Sequence, residues 1–250
     1  MKENEKDLTE RDKIRYDRQI MIQNFGEEGQ KKLKNTKALI AGAGGLGSPV
    51  SIYLAVAGTG SLKIVDNDEV ELSNLNRQVL YSEEDIGRNK AIVAEEVLKE
   101  FNRDIEIESV DREITERSIG GMVENCDIIV DCMDNYRTRY VLNRISVEKK
   151  IPFFHAAVHG MRGQATTILP DETPCLNCIV PSPPPQEKFP VLGATPGLLA
   201  CIQVHEVIKH VVGIGASLKN ELLVVEGGTD FDRFEIKKNP ECAVCGSKEE

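Results

Sequence analysis

The chain has 250 residues, 40% hydrophobic and 29% charged, enough for one large α/β domain or two small ones. Forty-one acidic against 31 basic residues give a net charge of −10, which argues against nucleic acid as the main ligand. No apolar run reaches the roughly 18–20 residues that span a bilayer, and the N-terminal MKENEKDLTERDKIR has no secretory apolar stretch, so a cytoplasmic protein without a membrane partner is expected.

In chain order, residues 10–33 carry apolar positions at helical spacing, with a break near Gly26. Residues 37–41 (KALIA) form a short buried strand, the glycine-rich 42–47 a turn, 46–57 a helix and 62–65 a second strand. A polar loop leads to a helix over 88–101, a strand over 105–110 and a short helix over 115–123. Strand 127–130 ends at Asp131-Cys132-Met133-Asp134, and a helix follows over 136–148. Strands are expected at 152–158 and 164–169, a helix at 198–212 and two strands at 222–225 and 231–236. Residues 180–190 (VPSPPPQEKFP) read as a stiff, extended loop. The alternation predicts an α/β fold, a Rossmann-like, mainly parallel sheet covered by helices on both faces, with an antiparallel C-terminal extension. One unit is expected over 1–250, with a nucleotide-binding core at about 36–150 and a C-terminal part at about 151–246.

Ligands of such sheets bind beyond the carboxyl ends of the strands, where three polar loops should converge. The first is the turn Gly42-Ala43-Gly44-Gly45-Leu46-Gly47, which fits G-x-G-x-x-G between a strand and a helix. Its glycines let backbone N–H groups approach phosphate at a helix N-terminus. The second follows Asp66, which is placed to hold ribose hydroxyls, with Asp68 two residues on as a ribose or metal ligand or a loop cap. Asn74, Arg77 and Gln78, with Lys90 at the next helix, form a donor-rich group suited to charge on a departing pyrophosphate. The third loop offers Asp134, a lone carboxylate suited to Mg2+ or to capping the helix that follows, with Asp131 as its competitor.

In a reducing compartment, Cys175-x-x-Cys178 and Cys242-x-x-Cys245 read as a structural four-cysteine Zn2+ site. Cys201 is expected as a small core residue of an amphipathic helix, and His155, His159, His205 and His210 are read as structural.

Together, RYDRQI at 15–20, GAGGLGS at 42–48, VDNDEVELSNLNRQ at 65–78, GRNKA at 87–91, DCMDN at 131–135, RGQ at 162–164 and the cysteine pairs resemble the HesA/MoeB/ThiF family of adenylating enzymes, relatives of the ubiquitin-activating enzyme. The resemblance covers nearly the whole chain. It implies use of ATP and Mg2+ to adenylate the C-terminal glycine carboxylate of a small ubiquitin-like sulfur-carrier protein ending in Gly-Gly, with release of pyrophosphate. The activated carrier then accepts sulfur for molybdopterin, thiamin or related biosynthesis. It further implies that Gly45 lies against the nucleotide, Asp66 holds the ribose, Asn74, Arg77 and Lys90 contact phosphates, and Asp134 serves metal and nucleotide. Arg18 resembles the arginine that reaches the neighbouring subunit's site, which implies a homodimer.

Many members carry a cysteine in the loop after the first C-x-x-C, whereas residues 179–200 contain none, and the chain ends just after Cys245 without a rhodanese-like domain. A separate sulfur donor attacking the adenylate is therefore expected. The glycine turn and Asp66 also fit a NAD-dependent oxidoreductase, and a non-catalytic scaffold for carrier tails is a third possibility. Both leave much of the phosphate-facing set without a purpose.

Overall fold

The computed structural model describes residues 5–183 and 189–246; residues 184–188 of the expected stiff loop lie outside them. The helices, in chain order, are α1 (Glu10–Arg15), α2 (Asp17–Ile20), α3 (Gly26–Lys34), α4 (Gly47–Ala57), α5 (Lys90–Phe101), α6 (Ile119–Met122), α7 (Tyr136–Lys149), α8 (Leu176–Ile179) and α9 (Ala194–Val212). The strands are β1 (Lys37–Ala41), β2 (Ser61–Val65), β3 (Glu106–Val110), β4 (Ile128–Asp131), β5 (Phe153–His159), β6 (Arg162–Ile168), β7 (Glu221–Glu226) and β8 (Asp230–Glu235).

All eight strands join one sheet in the order β3-β2-β1-β4-β5-β6-β7-β8. The first five are mutually parallel, and β6, β7 and β8 are added antiparallel. The expected Rossmann-like sheet with an antiparallel extension is therefore what forms. Chain order reverses at β1, whose neighbours are β2 and β4, so the crevice of an open α/β sheet falls beyond the carboxyl ends of these three strands.

The two-residue period of β1 divides the core. Ala38 and Ile40 face a cluster built with α4, α5 and α9, while Leu39 and Ala41 face a second cluster with α6, α7 and α8. Both faces exclude water, which is why the strand reads as a continuous apolar run.

Differences from the expected elements have local causes. Thr115 and Ser118 exchange hydrogen bonds in a turn, and the short helix begins only at Ile119. The first helical stretch is three helices, broken at Tyr16 as well as before Gly26. Helix α9 begins four residues before the expected 198, with Pro196 in its first turn. Proline is tolerated there because those N–H groups have no intrahelical partner.

Candidate functional site

The glycine turn is held by contacts that only glycine permits at two positions. Gly42 has φ +97°, and a Cβ on Gly47 would lie 1.9 Å from the Gly42 carbonyl oxygen. Asp66 braces the turn from the next strand, accepting the Ala43 N–H at 2.7 Å and the Asp68 N–H at 2.9 Å. Burial raises the Asp66 carboxyl above its ordinary range, against the pull of these two N–H groups. Tyr81, which no motif singled out, is buried and donates to the Ala43 carbonyl at 2.8 Å, with the Lys90 carbonyl at 3.2 Å. A buried tyrosine needs such a partner, and here it ties the turn to the start of α5.

Beside this turn lies a cavity of about 770 Å³ lined by Gly42, Gly44, Gly45, Asp66, Asp68, Arg77, Gln78, Lys90 and Asp134, with Asn76, Arg112 and Arg139 beside them. Lys90 is buried, yet its Nζ lies 3.1 Å from Asp68 Oδ2. Arg77 donates to the Ser73 carbonyl and to Asn76 Oδ1, each at 2.9 Å, and its Cγ would lie 3.4 Å from a Cβ on Gly45. Gln78 is buried, and its Oε1 has no hydrogen-bond partner among the described residues. That orphaned acceptor, the open glycine turn and two cations of three-donor and five-donor type suit an anionic nucleotide.

Three expected residues stand apart from the wall. Gly47 supports the turn from behind. Asn74 is buried and caps the short turn Leu72–Asn74, accepting the Glu71 N–H at 3.2 Å. Arg18 is exposed and does not line the crevice of its own protomer.

The two carboxylates after β4 are sorted by burial. Asp131 is fully buried and lies 2.7 Å from His155 Nδ1. Asp134 is exposed to the crevice. The residue that caps α7 is Asn135, whose Oδ1 accepts the Thr138 N–H at 2.9 Å, so Asp134 is not used as a helix cap. An exposed carboxylate beside a nucleotide-sized cavity fits Mg2+, which takes one or two carboxylates and fills its shell with phosphate and water oxygens. Sequence reasoning left His155 as a structural residue without naming its partner. The strand pairing of β4 with β5, which sets Asp131 opposite His155, was the missing information.

A second cavity of about 820 Å³ adjoins the crevice and shares Asp134, Asn135, Arg139, Val158 and Phe189 with it. Tyr136, Tyr140 and His159 give it an aromatic wall, and His159 stacks on Phe189 at 5.8 Å between ring centroids.

The four paired cysteines meet on the far face of the sheet. Their sulfurs all lie within 4.8 Å of one another, with Cys175 to Cys242 at 3.7 Å and Cys178 to Cys245 at 3.4 Å. Tetrahedral Zn–S bonds of about 2.3 Å place sulfurs about 3.8 Å apart, so the set could hold Zn2+. Asn143 on α7 anchors this knuckle by accepting the Leu176 N–H at 2.8 Å. Cys201, expected in the core, is only half-buried on α9, and burial raises its thiol.

Among the described residues, no helix is long and apolar enough to cross a membrane.

The ThiF family profile matches residues 16–244. Protein HesA of Leptolyngbya boryana is 40% identical over 244 residues, covering 96% of this chain and 88% of that protein. The SAMP-activating enzyme E1 of Haloferax volcanii is 38% identical over 93% of this chain and 88% of its own length. Adenylyltransferase and sulfurtransferase MOCS3 of Drosophila persimilis is 40% identical, and the match spans 55% of that longer protein. Among solved structures, E. coli MccB with ATP superposes with a TM-score of 0.84 at 27% identity, covering 93% of this chain and 73% of that one.

Proposed function

The chain belongs to the ThiF family, and from that membership we propose that it adenylates the C-terminal glycine carboxylate of a small ubiquitin-like sulfur-carrier protein, using ATP and releasing pyrophosphate. The observation that carries this reading is the convergence of the glycine turn, Arg77, Lys90 and the uncapped Asp134 on one crevice that opens into an aromatic groove. The crevice suits the nucleotide, and the groove suits an extended protein tail whose terminus meets the α-phosphate near Asp134. A relative named SAMP-activating enzyme and an MccB structure determined with MccA and AMPCPP support a protein or peptide as the second substrate.

The reaction asks for little proton transfer. A carboxylate is already ionised at neutral pH and is itself the nucleophile. The protein's work is to align it with the α-phosphate and to stabilise charge on the phosphates. In this reading Gly42, Gly44 and Gly45 offer close approach, Asp66 holds ribose, and Gln78 presents a buried acceptor. Arg77 and Lys90 receive phosphate oxygens, and Arg18 reaches the neighbouring crevice of a homodimer. Mg2+ at Asp134 would neutralise phosphate charge.

The unit is read as a single adenylation domain, with the nucleotide core at about 36–150 and a zinc-stapled part at about 151–246. A separate sulfur donor would complete thiocarboxylate formation in the cytoplasm, for molybdopterin, thiamin or related synthesis. A NAD-dependent oxidoreductase would leave Arg77, Lys90 and Asp134 without a common task, and a scaffold without turnover would leave all of them idle.

The test is exchange of labelled pyrophosphate into ATP, with Mg2+ and a panel of ubiquitin-fold proteins ending in Gly-Gly. Exchange that requires one of these carriers supports the reading, and its loss in Asp134→Ala places that carboxylate in the reaction. No exchange with any carrier sinks the reading.

A further inference from the structure

Beneath the junction of crevice and groove lies a charged cluster to which the proposed chemistry gives no role. Asp131 at the end of β4 and His155 on β5 are fully buried, and Arg139 on α7 is 4% exposed. Arg139 Nε lies 3.4 Å from Asp131 Oδ2, the same oxygen that faces His155 Nδ1 at 2.7 Å. Gln164 Nε2 approaches His155 Nε2 at 3.4 Å. An amide nitrogen donates, so this ring nitrogen accepts and the imidazole proton sits on Nδ1, directed at Asp131. Burial keeps the imidazole neutral, outweighing the opposite pull of Asp131.

The remaining contacts converge on one residue. Asp131 Oδ1 accepts the Met133 N–H at 3.1 Å. Arg139 donates to the Met133 carbonyl at 2.5 Å and to the Ala156 carbonyl at 3.2 Å. Both backbone groups of Met133, the residue immediately before Asp134, are thus bound to the cluster. The Asp134 side chain itself meets only its neighbour Asn135, at 3.3 Å, among the described residues. A buried ion pair seldom adds stability over apolar packing of the same volume, so the strength of the fold is a poor reason for this one. Orientation of a reacting carboxylate is a better one, because errors of about an ångström there are costly.

We propose that Asp131 is a positioning residue for nucleotide activation: through Met133 and Arg139 it fixes the direction in which Asp134 presents its carboxylate to the crevice. This rests on the reading of Asp134 as the magnesium-facing carboxylate.

The experiment measures ATP affinity by calorimetry on the full chain, with Mg2+ and with chelator, alongside pyrophosphate exchange with a carrier ending in Gly-Gly. In Asp131→Asn, affinity without Mg2+ should stay within about threefold of wild type, while the gain conferred by Mg2+ and the exchange rate each fall about tenfold to hundredfold, as for loss of a hydrogen bond to a charged group. Heat unfolding should remain a single cooperative transition. Arg139→Lys keeps the charge but removes the planar guanidinium whose Nη2 donates to both the Met133 and Ala156 carbonyls while Nε faces Asp131, and should show the same pattern. It decides the matter if Asp131→Asn does not fold. Variants that fold and keep both the Mg2+ gain and the exchange overturn the positioning role, as does failure of both to fold, which makes the cluster purely structural. A wild-type chain whose ATP affinity ignores Mg2+ overturns the metal reading of Asp134 instead, and the proposal with it.

Discussion

Lys90 and Asp68 form an unequal ion pair: the lysine side chain is 7% exposed, the aspartate 67%, and 3.1 Å separates Nζ from Oδ2. The lysine has been brought to the crevice wall by the first turn of α5, where its charge is met by the exposed Asp68 in direct contact and by the buried Asp66 from further off. A phosphate arriving at Nζ must compete with the Asp68 carboxylate.

Asp68→Asn should therefore tighten ATP binding about threefold to tenfold at low salt, with the gain fading at high ionic strength. Lys90→Ala should reduce pyrophosphate exchange about hundredfold. Binding assays across a salt series check both. Weaker binding in Asp68→Asn would instead place Asp68 on the nucleotide, as ribose or metal ligand.

The block RYDRQI divides into anchors and exposed charges, Arg18 among them. Tyr16 Oη accepts from Asn102 at 2.9 Å, and Gln19 donates to Gln30 at 2.8 Å and to the Ala57 carbonyl at 3.0 Å. Arg18 between them points to solvent. Arg18→Ala should abolish exchange although the residue is outside its own crevice. Mixed with Lys90→Ala, it should regain about a quarter of wild-type exchange, since half of randomly mixed dimers would carry one intact site of two. No regain on mixing would remove the shared site.

Much of the fold and part of the crevice could be read from residue pattern alone, for a physical reason. Strands buried on both faces, such as KALIA, leave continuous apolar runs, and a G-x-G-x-x-G turn between strand and helix has few other uses. What escaped depended on contacts distant in sequence. Tyr81 braces Ala43 from 38 residues away, and His155 meets Asp131 across 24. No local pattern marks either. That Asn135 rather than Asp134 takes the cap of α7 likewise showed only in the folded chain.

Glycines of the turn should differ in how they fail. Gly47→Ala would set a methyl 1.9 Å from the Gly42 carbonyl and force the turn open, at a cost of about 3 kcal/mol. A Cβ on Gly44 meets only Gln78 Nε2, at an ordinary 3.6 Å. Gly44→Ala should thus unfold like wild type yet bind ATP more weakly, its methyl filling space on the crevice wall. Denaturant titration beside ATP binding separates the two. Equal stability losses would mean that the turn bends as a whole.

Zinc should matter to the C-terminal segment more than to the chemistry. The cysteine sulfurs lie against α7 and α8, and none of the four cysteines lines the crevice. Cys178 Sγ also accepts the Asn239 N–H at 3.4 Å, so the two knuckles already lean together before any metal bond is counted. Burial would raise the Cys242 thiol, but the N–H groups of Cys245 and Val244 and the sulfurs of Cys175 and Cys178 bring it to about 7, while burial raises the thiols of Cys175 and Cys245 beside it. Purified protein should carry one zinc per chain by elemental analysis. Cys245→Ser should lose that zinc and expose residues near 239–246 to protease, while carrier-dependent exchange stays within about threefold, because structural zinc closes its shell with protein ligands and leaves no position for substrate. Exchange that falls in step with zinc content would instead show that α7, which carries both Asn143 and Arg139, transmits the state of the knuckle to the crevice.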